Sequence, residues 1–430
     1  DESIVQPGFL ADGTLVWCSD RSGWWNPWCL RPGAAEPEPM LDGEPEVEIG
    51  GPLWVGGLRW WTELSPGRLL VVARSEGQDR LALVEPDRTL RVLDTPFTEI
   101  SQVVAVGDGR TAAVVAGTPT AEPLPILVTV DDDGTVDHEV LRPVPEALDP
   151  AWISVPEPIA FASDDGGEAH GLVYPPTNPE AEAPAGERPP LVVMIHGGPT
   201  SHARHVFSLA KQYWTSRGFA VVDVDHGGST GYGRPFRRRL DGRWGELDVA
   251  DAAAAARHLA DEGRADPERL LIRGGSAGGF TTLAALCFGD TFAAGASHYG
   301  IADLGALAAE THKFESRYLD GLVGSWPEAR ATYEARSPIL HVAGFDRPLI
   351  VLQGADDLVV PPDQAEMIVA ALAAKGVPHA YVLFEGEGHG FRGADAIVRA
   401  LEAELWFYGR VLGFEPADDI EPVEGAVGLG

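Results

Sequence analysis

Two periodicities share this chain, and they meet near residue 150. Up to about residue 145 short apolar runs alternate with turn residues: DGTLVWCSD and WNPWCLRPG, GRLLVVARSEG and DRLALVEPDRTLRVLD, GRTAAVVAGTP and LPILVTVDDDGTVDHEV. Each pair reads as two strands with a Gly or Asp turn between or after them. The unit returns about every 45 residues, a period that fits β-propeller blades better than a sandwich. About three such units fit into residues 1–150, whereas radial closure takes four blades or more. The arithmetic leaves two readings: the C-terminal blades of a propeller whose N-terminal blades are absent from this chain, or some other β-meander.

From PEPIAFASDDGGEAHGLVYPP onward, strands alternate with helices. Apolar runs such as PLVVMIHGG, FAVVDVDHGG, RLLIRGGS and PLIVLQGADD read as fully buried strands. Between and after them, VADAAAAARHLADEG, DQAEMIVAALAAKG and ADAIVRALEAELWFYGRVLG read as amphipathic helices. Such alternation predicts an α/β fold, a mostly parallel, doubly wound sheet covered by helices on both faces, over residues 151–414. The Pro/Ala/Glu-rich stretch from Pro175 to Pro190 is expected to be an exposed loop, and residues 415–430 a poorly ordered C-terminal tail.

Composition narrows the partners. A formal net charge of −33 opposes binding to polyanions, so nucleic acid and anionic membrane surfaces are not expected partners. No apolar run reaches the roughly 18 residues of a membrane span, and DESIVQPGFL lacks the basic and apolar regions of a secretion signal. Cys18, Cys29 and Cys287 are an odd number without a CxxC pair, which suits a reducing, cytoplasmic setting, although Cys18 and Cys29 could face each other across a hairpin.

The stretch LLIRGGSAGGF carries the chemistry. GxSxG from Gly274 to Gly278 follows a strand and precedes the helical run TTLAALCFG, the context of a nucleophile elbow that lifts the Ser276 hydroxyl clear of the sheet. A serine needs a base, and the base an anionic partner. Asp356 and Asp357 stand just past one buried strand, in GADDLVVPP, and His389 in a Gly-rich loop after the next, in FEGEGHGF. The order Ser, Asp, His is that of α/β-hydrolases. HGGP, from His196 to Pro199, ends another strand and supplies the oxyanion side: the backbone N–H of Gly198, with Gly197 the alternative, opposite that of Ala277. Dinucleotide, P-loop and HExxH motifs are absent, so no organic cofactor and no metal are expected.

These motifs resemble the prolyl oligopeptidase family of serine peptidases, most closely its acylaminoacyl-peptidase-like branch and the actinobacterial aminopeptidases of the puromycin-hydrolase kind. HGGP, GGSTGYGR, WGELDVAD, GGSAGG, HKFESRYLDGLVG, QGADDLVVPP and EGHGF carry the resemblance in order over residues 155–413, with the β-rich half as the family's propeller. It implies a triad of Ser276, Asp357 and His389, because Gly354, Asp357, Val360 and Pro361 match the family's GxxDxxVP in register, and leaves Asp356 to the turn. It also implies an exopeptidase that acts on short peptides through an acyl-enzyme, a propeller over the catalytic face restricting access. Glu315 is then placed to pair with a free substrate amine, and Arg317 to hold a carbonyl or that Glu. The family usually has Arg before the GSTGYG glycine where this chain has Gly227, which puts local substrate contacts in doubt.

Two other functions share these residues: a lipase or carboxylesterase, which the β-rich half and GGSTGYG disfavour, and an inactive binding module, which would need a broken triad. Incomplete blades would leave strand edges unpaired, so a separate N-terminal propeller segment or a homo-oligomer is expected to cover them.

Overall fold

The computed structural model describes residues 2–142, 148–311 and 313–429. The chain divides into two compact units, one of Asp1–Pro156, Arg204–Leu209 and Ser229–Arg238, the other of Glu157–Ala203, Ala210–Gly228 and Arg239–Gly430. Among the described residues no helix is long and apolar enough to cross a membrane.

The first unit holds three four-stranded antiparallel sheets among its described residues, each a meander in chain order. They run over Ile4–Phe9, Leu15–Ser19, Asn26–Leu30 and Glu38–Pro39; over Trp61–Ser65, Arg68–Ser75, Gln78–Val84 and Leu90–Val92; and over Glu99–Ala105, Thr111–Thr118, Ala121–Val130 and Val136–Val140. This is the propeller portion with its three blades. Side chains in a strand point alternately to opposite faces, and the middle sheet is apolar on both. Leu70, Val72, Leu81 and Leu83 bury against the third sheet's Val114, Ile126 and Val128, whereas Leu69, Val71, Ala82 and Val84 bury with Val16, Cys18 and Trp25 of the first sheet's hairpin. That is why LLVVA, from Leu69 to Ala73, is continuously apolar, while Ala121–Val130 alternates, with Leu124, Ile126, Val128 and Val130 inward.

Cys18, Cys29 and Cys287 are free and buried. In the first hairpin Cys18 lies opposite Pro27 and Cys29 opposite Val16, so the two cysteines are not cross-strand partners.

Ser229–Arg238, the middle of GGSTGYGR and its continuation, belongs to this first unit. Glu48, 1% exposed, draws it in by accepting hydrogen bonds from the Gly231 N–H (2.6 Å) and the Arg237 guanidinium (3.0 Å). Arg237 also donates to Asp20 at 2.6 Å and stacks 3.8 Å above the Trp25 ring. Gly231 and Arg237 thus have partners inside the β-rich unit.

The second unit is built on an eight-stranded sheet, whose strands we number β1 (Glu157–Ala162), β2 (Glu168–Tyr174), β3 (Leu191–Ile195), β4 (Ala220–Asp225), β5 (Leu270–Gly275), β6 (Ala294–His298), β7 (Leu349–Gly354) and β8 (His379–Phe384). The order is β1-β2-β4-β3-β5-β6-β7-β8, parallel from β4 onward and antiparallel at the β1 and β2 end. This is the α/β-hydrolase arrangement. Helices α2 (Leu247–Asp261), α3 (Ala277–Phe288) and α4 (Pro362–Lys375) cover one face; α1 (Leu209–Thr215) and α5 (Ala394–Leu412) cover the other. With both faces covered, β3 and β4 are buried along their whole length, which accounts for the unbroken apolar run of β3 and the valines of β4; the two aspartates of β4 are buried and bonded, Asp223 to Lys211 and Asp225 to the Ala203 N–H. The stretch between Pro175 and Pro190 is largely exposed.

The C-terminal segment corrects the expectation of a loose end. Val427 exchanges backbone hydrogen bonds with His379 at the start of β8 (3.0 and 2.9 Å), Val423 is buried, and Arg399 of α5 donates to the carbonyls of Glu421 and Pro422. An acidic, Gly/Pro-containing tail looks disordered by composition, but two valines and an unpaired sheet edge give it a place to dock.

Glu48→Ala will leave Arg237 buried with half of its partners and the Gly231 N–H without its acceptor, and loss of one member of a buried pair costs about 3–5 kcal/mol. The thermal denaturation midpoint should fall by several degrees; an unchanged midpoint would contradict this account of the motif.

Candidate active site

β5 ends at Gly275 and α3 begins at Ala277, so a single residue, Ser276, turns the chain from strand to helix. Its backbone sits at φ 57° and ψ −119°, a region that costs a non-glycine residue on the order of 1–3 kcal/mol and persists only where surroundings enforce it. The enforcement is visible at Gly278: a Cβ there would stand 2.2 Å from the Ile195 carbonyl oxygen at the end of β3 and 3.0 Å from that of His196. A Cβ on Gly274 would strike Gly278 itself, 2.4 Å from its oxygen. The GxSxG glycines therefore let two backbone segments come closer than any side chain permits. The Ser276 N–H donates to the His298 carbonyl at the end of β6 (3.0 Å), and its carbonyl accepts from Phe280 in α3 (3.0 Å).

His389 bridges Ser276 and Asp357. Its Nε2 lies 2.9 Å from Ser276 Oγ and its Nδ1 2.9 Å from Asp357 Oδ2. The Asp357 side chain has no exposure, against 23% for His389. Its Oδ1 accepts the N–H groups of Val359 and Val360, both at 2.9 Å, which fixes the plane of the carboxylate. Asp356, beside it, is exposed and makes its backbone bond to Glu387. The structure thus brings Ser276, Asp357 and His389 together and turns Asp356 to solvent.

The HGGP loop lies against the elbow. A Cβ on Gly197 would be 3.5 Å from the Gly275 carbonyl oxygen and 3.7 Å from Ser276 Cβ, and Gly198 occupies φ 114°, a conformation for glycine. Ala277 opens α3, and the first N–H groups of a helix have no partner within it. Gly197 and Ala277 thus flank the serine, with Gly198 next along the loop.

Behind that loop, the His196 ring stacks on His226, with centroids 4.7 Å apart. Burial first, then the neighbouring His226, push His196 well below the usual histidine range, so it is neutral near pH 7. Asp251 accepts the Gly227 N–H at 2.8 Å, and Asp248 accepts the Gly245 N–H at 2.7 Å and the Thr281 hydroxyl. These contacts explain WGELDVAD as the support of the neighbouring turns. At Gly227, where the family usually has Arg, a Cβ would meet the ends of two side chains, 2.6 Å from Leu247 Cδ2 and 3.2 Å from Arg239 Cζ, which would have to move to admit it. Arg239 instead fills the space and pairs with Asp165.

Sequence reasoning missed the groups beneath the elbow. Arg273, three residues before the serine, forms a two-pronged pair with Glu404 of α5 (2.9 Å on each arm), and His298 Nε2 stands 2.7 Å from the same carboxylate. Burial pushes the Glu404 carboxyl up, but Arg273 and His298 outweigh it and hold the group below the usual range. Tyr299, at φ 37°, lays its ring edge-on to His389 at 5.0 Å. The one signal in the sequence was an arginine inside an otherwise buried strand, LLIRGG.

The HKFESRY stretch is less committed. His312 lies outside the described residues. Arg317 is 79% exposed and pairs with Asp320 at 2.7 Å. Glu315 is half-buried, with the Thr311 hydroxyl at 3.5 Å. Tyr318, just beyond, meets Thr200 of the HGGP loop, their oxygens 2.7 Å apart, so this stretch reaches the oxyanion side of the site.

The profile of the prolyl oligopeptidase family matches residues 205–415. Among solved structures the chain is similar to a puromycin hydrolase, at 42% identity and a TM-score of 0.92 over 98% of this chain and 63% of that one. It is likewise similar to a puromycin-hydrolyzing peptidase of Mycobacterium tuberculosis, at 45% identity and a TM-score of 0.91 over the same shares. Among curated proteins, dipeptidyl aminopeptidase BIII of Pseudoxanthomonas mexicana is 31% identical over 252 residues, 57% of this chain and 36% of that protein. The chain therefore spans about a third of that curated relative and under two thirds of those structures.

Gly278→Ala will force the HGGP strand end away from the elbow. Modification of Ser276 by a fluorophosphonate should slow on the order of 100-fold, the scale of a lost oxyanion donor; labelling at the unmodified rate would refute the close-approach argument.

Proposed function

Since this chain belongs to the prolyl oligopeptidase family, we propose that it hydrolyses short peptides or aminoacyl amides as a serine exopeptidase, through an acyl-enzyme at Ser276. The observation that carries the reading is the His389 bridge, 2.9 Å to Ser276 on one side and 2.9 Å to Asp357 on the other, mounted on a strained elbow.

In this reading His389 carries its proton on Nδ1, facing Asp357, and offers the Nε2 lone pair to the serine hydroxyl. Ser276 Oγ attacks the scissile carbonyl carbon while its proton passes to Nε2. The Ala277 N–H and that of Gly198, or of Gly197, receive the oxyanion, and the buried Asp357 carboxylate stabilises the imidazolium. Collapse breaks the C–N bond, and the imidazolium gives its proton to the leaving amine. A water molecule, deprotonated by the same nitrogen, then releases the acid and restores the serine. The similarity to puromycin hydrolase and to a dipeptidyl aminopeptidase favours substrates with a free amino end, and Glu315, three residues before the Tyr318 that meets Thr200, is the candidate to receive that amine.

Ser276→Ala should abolish turnover and fluorophosphonate labelling while leaving the fold intact. Asp357→Asn should lower turnover on the order of 10⁴-fold by presenting the wrong histidine tautomer, whereas Asp356→Asn should change it little; equal losses from the two would overturn the assignment.

A panel of free-amine and N-acetylated aminoacyl and dipeptidyl anilides tests the substrate class. Free-amine anilides should be preferred, and Glu315→Gln should raise KM for them much more than for the acetylated set. Hydrolysis confined to carboxylic esters would contradict the peptidase reading.

A further inference from the structure

An arginine in a strand whose neighbours are Leu271 and Ile272 needs a reason, and stability is a weak one. A buried ion pair recovers little more than its desolvation cost, and apolar side chains of similar volume often serve as well. What distinguishes Arg273, His298 and Glu404 is where their backbones lead. Arg273 lies three residues before Ser276 on β5. His298 ends β6, and its carbonyl is the acceptor of the Ser276 N–H at 3.0 Å. Arg273 Nη2 and His298 Nε2 stand 3.1 Å apart, and Glu404, with no exposure at all on α5, binds both. The same place touches the histidine loop. Tyr299, next to His298, packs against His389 at 5.0 Å, and Phe391, two residues after His389, packs against His298 at 6.0 Å and Tyr299 at 5.4 Å.

We propose that Arg273, His298 and Glu404 form a positioning cluster that sets the Ser276 backbone and the wall behind His389 relative to each other, with Glu404 as its anchor. The cluster touches neither substrate nor the reacting atoms. It acts by holding the carbonyl that fixes the strained serine and the ring that backs the histidine, so its loss should alter the attack step and leave substrate binding alone. This inference rests on the proposed acyl transfer at Ser276.

Two variants test it, Glu404→Gln and the double variant R273M/E404M, which replaces the ion pair by apolar groups of similar length. Turnover of an aminoacyl anilide is measured per fluorophosphonate-labelled serine, with KM and the thermal midpoint alongside. Glu404→Gln should lower kcat roughly tenfold or more, the scale of a small misplacement of reacting groups, with KM within about twofold. The double variant should melt near the parent temperature and still show the lowered kcat. A double variant with stability and kcat both at parent values would reduce the cluster to a structural role and overturn the proposal. Should it fail to fold, an unchanged kcat per labelled serine in Glu404→Gln overturns it equally. Absence of fluorophosphonate on Ser276 in the unmodified protein would instead sink the acyl-transfer reading, and this inference with it.

Discussion

The second unit depends on one close approach, that of the turn after β5 to the end of β3. With hydrogens alone on Gly274 and Gly278, α3 starts directly beneath the Ile195 and His196 carbonyls, where a Cβ on Gly278 would lie 2.2 Å from the Ile195 oxygen. That contact fixes the helix against the sheet, brings the HGGP loop beside the serine and holds Ser276 at φ 57°. The strain is local, and the means that impose it are distributed. Backbone packing holds the elbow on the β3 side, a hydrogen bond to the His298 carbonyl holds it on the β6 side, and the α3 hydrogen bonds hold it below. Asp357 and His389 arrive from β7 and β8, which the parallel sheet brings to the same edge.

Three buried cations among the described residues are paired with carboxylates. Lys211 donates to Asp223 at 2.7 Å and to the Tyr174 hydroxyl at 3.0 Å; Arg273 meets Glu404; Arg237 meets Asp20 and Glu48. Each of these cations taken out of water has an opposite charge and hydrogen bonds beside it, whereas the buried Asp248 and Asp251 are held by N–H and hydroxyl donors. The rest of the acidic excess behind the net charge of −33 lies largely at the surface.

Much of this was legible in the chain, for physical reasons that can be named. Fully buried strands are dominated by apolar residues, so LVVMI, AVVDVD and LIVLQG announced the parallel sheet. An elbow without glycine cannot form, so GGSAGG announced the serine, and the order of Asp357 and His389 behind it narrowed the partners. Legibility failed where structure depends on distant groups. Glu404 is 131 residues from Arg273, and in sequence it is one more acid on an amphipathic helix. Tyr299 adopts a positive φ that no propensity of tyrosine suggests. Ser229–Arg238 reads as part of the catalytic half, yet its anchors, Glu48 and Asp20, lie in connecting segments of the β-rich unit. The C-terminal segment looked disordered because composition says nothing of an open edge at β8 waiting for Val427.

The central claim is that covalent chemistry passes through the Ser276 oxygen. Rapid acid quench of the unmodified enzyme turning over an aminoacyl ester, whose deacylation is the slower step, followed by peptide mapping, tests it most directly. The account predicts a transient adduct with the mass of the aminoacyl group, on the peptide containing Ser276, appearing at the rate of the product burst. Turnover without a burst and without an adduct, or an adduct on another residue, would contradict it.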